Sequence, residues 1–318
     1  MDGGRIFMKL VFLDKKTIGE DMDFSRFSEL GDVAEYDFTQ PEEAPERVKD
    51  ADILIVNKVP VNRQTIHTAG NLKLVCVTAT GTNNLDKDYL AERGIEWRNA
   101  AGYSTESVAQ HTFAMLFYLM EHLRYYDDYV KEGHYINDVM FTHFAKTFRQ
   151  LTGKTWGIIG LGAIGRRVTE IARAFGAEVI YYSASGAPAQ EGYRQVDLET
   201  LLETSDIVSV HAPLNPYTEG LMDRKAFSSM QPHAIFLNLG RGQIVAEEAL
   251  ADALNEGRIA AAGLDVLCRE PMSEDSPLLK VKEKERLLIT PHIGWASVEA
   301  RTNLMDIVAE HIRKFISA

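Results

Sequence analysis

The stretch Thr155-Trp156-Gly157-Ile158-Ile159-Gly160-Leu161-Gly162-Ala163-Ile164-Gly165 constrains this chain more than any other. A run of strand character leads straight into a GxGxxG loop, and residues 166–175 continue with helical spacing of apolar positions. A strand, a glycine loop and a helix in that order start a parallel crossover, so an α/β fold is expected. Each glycine has its own reason. Gly160 permits the tight turn, Gly162 lets the backbone approach a phosphate, and Gly165 lets the helix pack closely on the strand. The helix start, with Ala163 and Ile164, adds amide donors and the positive end of a dipole. A GxGxxG alone is common, but in this setting it points to a dinucleotide.

The rest of the chain repeats that alternation. Strands are expected over residues 9–13, 33–36, 53–56, 74–77 and 96–98, and again over 155–159, 178–182, 207–211, 234–239, 262–265 and 287–289. Unbroken apolar runs such as Ile53-Leu54-Ile55-Val56 suit parallel strands covered on both faces. The expected architecture is two doubly wound parallel-sheet domains of Rossmann-like or flavodoxin-like type, with five and six strands and a cleft between them. Residues 104–130, with Val108, Phe113, Met115, Leu116, Leu119 and Leu123 as the apolar stripe, predict one long linker helix. Residues 297–318 predict a C-terminal helix that packs back on the first domain, and residues 1–7 an unstructured extension.

The strand over 178–182 ought to end in an acid that hydrogen-bonds an adenosine ribose, yet Ser183 stands there. Ser183 would not repel a 2′-phosphate, but Ala184-Ser185-Gly186 offers no arginine to grip one. NAD(H) is therefore placed ahead of NADP(H), with room left for the latter.

A net charge of −12 and a pI near 5.3, without a basic cluster, leave no footprint for nucleic acid. The same charge repels small anions at long range, so an anion site must be built locally around an arginine. Cys76 and Cys268 lack metal-ligand spacing, which predicts no metal site and a thiol-reducing cytoplasm. Cys76 reads as a buried hydrophobe. Cys268 lies near Glu270, whose charge would discourage a thiolate. No apolar segment reaches the length of a membrane span.

Three fragments follow expected strands and carry the chemistry. Asn238-Leu239-Gly240-Arg241-Gly242 presents an arginine between glycines that let the chain approach a ligand, and its planar fork can grip a carboxylate and polarise a carbonyl. Thr290-Pro291-His292-Ile293-Gly294-Trp295 presents a histidine suited to proton exchange. Between them, Gly263-Leu264-Asp265-Val266 leads to Glu270, a carboxylate able to fix the imidazole tautomer and favour the protonated acid. A turn arginine and a structural histidine explain the isolated fragments about as well.

Taken together, with Gly81-Thr82-Asn83-Asn84-Leu85-Asp86, Asn99 to Val108, and His211-Ala212-Pro213-Leu214 with Thr218, the fragments resemble the D-isomer-specific 2-hydroxyacid dehydrogenases over almost the whole length. Residues 104–110 and Tyr181-Tyr182-Ser183 look most like the glycerate dehydrogenase and hydroxypyruvate reductase branch. The resemblance implies hydride transfer between NAD(P)H and a 2-oxo acid, with Arg241 binding the substrate, His292 exchanging the proton and Glu270 orienting His292.

It also implies substrate contacts from Asn57, Lys58, Thr80, Gly81 and Trp295. Cofactor contacts would come from Thr105, His211, Ala212, Pro213, Thr218, Leu239, Gly240, Asp265, His292 and Gly294. It implies a discontinuous substrate domain, residues 1–99 and 290–318, around a cofactor domain of residues 100–289, with His292 and Arg241 facing each other across the hinge, and a homodimer joined through the linker-helix region. Residues such as Met140, Phe144 and Trp295 would set the size of the substrate. Two positions depart from the family: Ser183 for an acid, and Gln110 for a glutamate whose loss is expected to affect only helix packing. Formate dehydrogenases share the architecture but resemble this chain less, because they have glutamine where Glu270 stands. A nucleotide-sensing, corepressor-like binding protein on the same fold remains the alternative.

Overall fold

The computed structural model describes residues 8–318, so the extension expected over residues 1–7 lies outside the described residues. The chain forms two compact units, residues 8–104 with Ala296–Ala318, and Thr105–Trp295.

The first unit carries β1 (Lys9–Phe12), β2 (Asp32–Glu35), β3 (Ile53–Val56), β4 (Leu74–Val77) and β5 (Glu96–Asn99) in the order β2-β1-β3-β4-β5, all parallel. Every residue of β3 and β4 is buried, as a parallel sheet covered on both faces requires. The crossovers are short helices: α1 (Ser25–Ser28), α2 (Ala44–Arg47), α3 (Arg63–Ile66) and α4 (Lys87–Glu92). Local chemistry starts the latter two. Asn62 and Thr65 form a reciprocal capping box on α3, and Asp86 accepts the Tyr89 amide on α4.

The linker pattern divides in the second unit. α5 (Thr105–Met120) buries Val108, Phe113, Met115, Leu116 and Leu119, then stops where His122 adopts a left-handed φ of 53°. α6 (Leu123–Lys131) starts beyond the break and buries none of its residues, so Leu123 is exposed rather than part of the stripe. Gln110 is also exposed.

The second sheet holds β6 (Thr155–Ile159), β7 (Glu178–Tyr182), β8 (Arg194–Gln195), β9 (Ile207–Val210), β10 (Ile235–Asn238), β11 (Ala261–Leu264) and β12 (Leu287–Ile289) in the order β12-β11-β10-β9-β6-β7-β8, all parallel. It has seven strands, not the expected six, because the two-residue edge strand β8 is too short to show alternation. The strand order reverses between β6 and β9, which makes their carboxyl ends the place where such a sheet takes a ligand. The crossovers are α7 (Ala163–Ala174), α8 (Leu198–Thr204), α9 (Arg224–Ser229) and α10 (Glu247–Asn255). α7 begins three residues before the expected helix, inside the glycine motif itself.

Two apolar clusters hold this unit. One packs α5 against β6, where the Phe113 ring lies 5.0 Å from Trp156; the other gathers Phe227, Phe236, Leu250 and Leu254. Trp156 is wholly buried, and its indole N–H is satisfied by Ser209 Oγ at 2.8 Å.

α11 (Val298–Ile316) belongs to the first unit and packs against β4, as expected of the C-terminal helix. Ser297 caps it, Leu304, Met305, Val308 and Ile312 are buried, and Arg301 pairs with Asp21 with Nη2 at 2.9 Å from Oδ2.

Candidate active site

The three glycines of the motif are required for three different physical reasons. Gly160 has φ of 96°, and a Cβ there would lie 2.7 Å from the Ala212 nitrogen on the loop after β9. A Cβ on Gly165 would lie 2.3 Å from the Gly160 carbonyl oxygen, closing the gap between helix and strand. Gly162 caps α7, and nothing stands within 4 Å of where its Cβ would be. Open space at the middle glycine, with backbone contact at the other two, is what a loop that receives a pyrophosphate needs. Ala163 and Ile164 open the helix, so their amides belong to its unsatisfied first turn.

Across the switch point, the His211 amide donates to Ile159 O at 2.8 Å. The His211 ring has Nε2 on Ser209 Oγ at 3.0 Å and a buried Nδ1 without a partner among the described residues. Burial pushes its pKa down to about 3, so the ring is neutral at ordinary pH. Thr218 is almost wholly buried and donates to Pro213 O at 2.7 Å while accepting the Asn215 amide. Its hydroxyl shapes the 212–218 loop. Ser183 follows β7, half-buried, with Oγ 3.1 Å from Ser185 Oγ.

Arg241 follows β10. Nη1 donates to Gly240 O at 2.7 Å, and among the described residues the guanidinium makes no ion pair. The flanking glycines are tightly packed within the protein: a Cβ on Gly240 would lie 2.8 Å from Ala212 O, and one on Gly242 would lie 1.9 Å from the Leu267 carbonyl carbon. Leu239 is buried against the α5 side of the core.

The third fragment is the most ordered. His292 has φ of 55° and places Nδ1 2.8 Å from Glu270 Oε2, while Glu270 Oε1 accepts the Leu267 amide at 2.9 Å. A carboxylate can only accept, so Nδ1 carries a proton and Nε2 is the nitrogen left for chemistry. Asp265, only 3% exposed, anchors this loop: Oδ1 accepts from Thr290 Oγ1 at 2.6 Å and the Ile293 amide at 2.9 Å, and Oδ2 accepts the Gly294 amide at 2.8 Å. Burial alone would raise its pKa, but the hydrogen bonds from His111, Thr290 and the two amides outweigh it and hold the carboxyl below its usual range. Trp295 packs against the core beside the loop. Arg241, Glu270 and His292 all lie in the second unit, whose limits are Thr105 and Trp295. The expected boundary at residue 290 had put His292 on the other side.

In the first unit, Asn57 and Lys58 follow β3, and Thr80 and Gly81 lie just beyond β4. Sequence reading missed what holds the former pair: the buried Asp14 carboxylate accepts the amides of Asn57 at 2.8 Å, Lys58 at 2.6 Å and Val59 at 3.2 Å. Burial dominates over these donors and raises the Asp14 pKa. Thr80 donates to Ala100 O at 3.1 Å.

Neither thiol is activated. Burial pushes Cys76 up to about 12. Cys268 is pushed to about 11, by desolvation first and then by Glu247, which also accepts its amide at 2.7 Å. Glu247, not the Glu270 expected from sequence, is the acid responsible.

A parallel sheet with its switch point at a GxGxxG loop is the architecture of a dinucleotide-binding protein. The family model of the D-isomer specific 2-hydroxyacid dehydrogenase, NAD binding domain, matches residues 113–294. The hydroxypyruvate reductase of Blautia hydrogenotrophica is 38% identical over 315 residues, 97% of each chain. The glycerate dehydrogenase of Methylorubrum extorquens is 34% identical over 310 residues, covering 97% of this chain and 96% of that one. Among solved structures, an acyclic imino acid reductase in complex with NADPH and D-Arg superposes with a TM-score of 0.86 at 30% identity, covering 98% and 97% of the two chains. This chain belongs to the D-isomer specific 2-hydroxyacid dehydrogenases.

Proposed function

We propose that the chain reduces a small 2-oxo acid of the hydroxypyruvate or glyoxylate kind to the D-2-hydroxy acid with NADH, and that NADPH serves less well. The glycine loop fits such a cofactor, since of its three glycines Gly162, at the helix cap, is the one with open space before it. Gly160, Gly162, Ala163, Ile164 and Gly165 would hold the pyrophosphate and Ser183 the ribose. Thr105, Ala212, Pro213, Leu239, Gly240 and Gly294 would line the remainder, with His211 Nδ1 and the Asp265 side as polar points. The bound nicotinamide supplies the hydride.

The chain's own residues do the rest. Arg241, free of any ion pair among the described residues, grips the substrate carboxylate with its fork and polarises the carbonyl. His292 delivers the proton from Nε2 to the carbonyl oxygen and keeps the Nδ1 proton on Glu270, whose other oxygen is fixed by the Leu267 amide. Asn57, Lys58, Thr80 and Gly81 sit past strand ends in the first unit and are our proposed substrate contacts there; Trp295 is another.

The observation that carries this reading is the 2.8 Å contact of His292 Nδ1 with Glu270. That contact leaves Nε2 as the proton donor. The test is a panel of 2-oxo acids assayed with NADH and NADPH. The highest kcat/KM should fall on hydroxypyruvate or glyoxylate with NADH, and a panel that oxidises neither cofactor would sink the reading. The nucleotide-sensing alternative is not favoured, because the relatives spanning the whole chain are named as a reductase and a dehydrogenase.

We also propose a cytoplasmic homodimer. Among the described residues no helix is long and apolar enough to cross a membrane. Val139 at 99%, Phe141 at 91% and Phe144 at 74% exposure stand beside Met140 and Phe148 on one short segment. That segment is held in place by Tyr125 OH on His143 Nε2 at 2.9 Å and Tyr129 OH on Asp138 Oδ2 at 2.8 Å. An ordered apolar surface of this kind favours association. A monomeric mass by light scattering at working concentration would refute the dimer.

A further inference from the structure

The structure assigns to His111 a positioning role: from α5 it holds the Thr290–Asp265 pair that sets the backbone of the His292 loop. This inference rests on the reading of His292 as proton donor. Ser107 and His111 stand four residues apart and so share a face of α5. Ser107 Oγ donates to Gly294 O at 2.7 Å, and His111 Nε2 lies 3.0 Å from Thr290 Oγ1 and 3.4 Å from Asp265 Oδ1. The helix thus grips the loop on both sides of His292.

The proton inventory fixes the direction of the chain. The Thr290 hydroxyl has one hydrogen, and at 2.6 Å from a carboxylate that only accepts, it is spent on Asp265. Neither Thr290 Oγ1, its hydrogen already spent, nor the Asp265 carboxylate can donate to His111, so Nε2 of His111 carries a hydrogen, set between Thr290 Oγ1 at 3.0 Å and Asp265 Oδ1 at 3.4 Å. His111 in this tautomer orients the Thr290 hydroxyl toward Asp265.

Asp265 in turn receives the Ile293 and Gly294 amides, and its own carbonyl accepts the His292 amide at 2.8 Å. All of these bonds surround a non-glycine residue held at positive φ, a conformation that costs energy and persists only when its neighbours impose it. A polar side chain on α5, only 19% exposed, is otherwise an odd choice beside the apolar stripe.

The test compares His111→Phe, which keeps a ring and loses the donor, with His111→Gln, whose amide nitrogen can occupy the place of Nε2. His111→Phe should lower kcat by roughly 10–100-fold through a displaced His292, with the KM for NADH little changed. His111→Gln should recover most of that loss. In a His292→Ala background, His111→Phe should have little further effect, because the two act through one group.

Equal kcat in wild type and His111→Phe, or full additivity with His292→Ala, would overturn the assignment. If His111→Phe fails to fold, Thr290→Val breaks the same link, and an unchanged kcat there overturns it equally. Failure of the underlying reading is separate, since it shows as intact turnover in His292→Ala alone. As a readout independent of turnover, fluorescence titration should give the same NADH affinity in both His111 variants.

Discussion

Glu270 touches His292 Nδ1 with one carboxylate oxygen at 2.8 Å and the Leu267 amide with the other at 2.9 Å. The side chain is therefore fixed at both ends, and the imidazole it holds has one tautomer and one free nitrogen. Arg241 contrasts with it. Among the described residues its guanidinium makes one hydrogen bond, to Gly240 O, which leaves the rest of its fork for the ligand proposed above.

Arg241→Lys should therefore damage the reaction although it preserves charge. A point ammonium cannot reproduce two parallel hydrogen bonds to a carboxylate, so kcat/KM for the oxo acid should fall by about 10-fold or more. The NADH affinity should stay near wild type. Steady-state kinetics checks this, and an unchanged kcat/KM would remove Arg241 from the substrate site.

Ser183→Asp should sharpen cofactor choice. A carboxylate after β7 would hydrogen-bond a ribose diol and repel a 2′-phosphate, so the kcat/KM ratio of NADH over NADPH should rise by about 10-fold or more. A ratio that stayed the same would show that the 183–186 loop does not meet the ribose.

How much of this was legible in the sequence depends on the range of the forces involved. Strand runs such as Ile53–Val56 and the glycine motif declare themselves locally, because burial on two faces and a tight turn each demand particular residue types. The break at His122 gave no signal, since neither glycine nor proline marks it. Asp14 and His111 were missed for another reason. Each is defined by partners more than forty residues away, on the loops after β3 and β12, and only the folded chain brings those partners together. The glycines around Arg241 were recognised as necessary, but one reason was not legible: a Cβ there would meet Ala212 and Leu267, which only the fold brings close.

Cys268 should behave as a poor nucleophile despite its exposure. With its pKa raised to about 11, by desolvation first and Glu247 second, little thiolate exists near neutrality. Alkylation by iodoacetamide should be slow at neutral pH and accelerate as pH rises toward that value, and Glu247→Gln should speed it. Rapid labelling of the wild type at neutral pH would contradict the assigned environment.

His211 should weaken the fold in acid. Its folded pKa, about 3, lies below the ordinary 6.5, so the unfolded chain takes up a proton that the folded one refuses. The stability it permits is present above about pH 6.5 and lost as pH falls toward 3. Between about pH 7 and about pH 5 the wild type should lose on the order of 2 kcal/mol more than His211→Gln. Urea unfolding at the two pH values measures the difference, and parallel losses in both proteins would remove His211 as the cause.

The proton-donor assignment is most directly tested by the turnover of hydroxypyruvate with NADH in His292→Ala, measured beside NADH binding in the same preparation. Turnover should fall by ~10²–10⁴-fold, the loss expected for a missing general acid, while NADH still binds. Turnover at the wild-type rate would contradict the role given to His292 and, with it, the reading of the site.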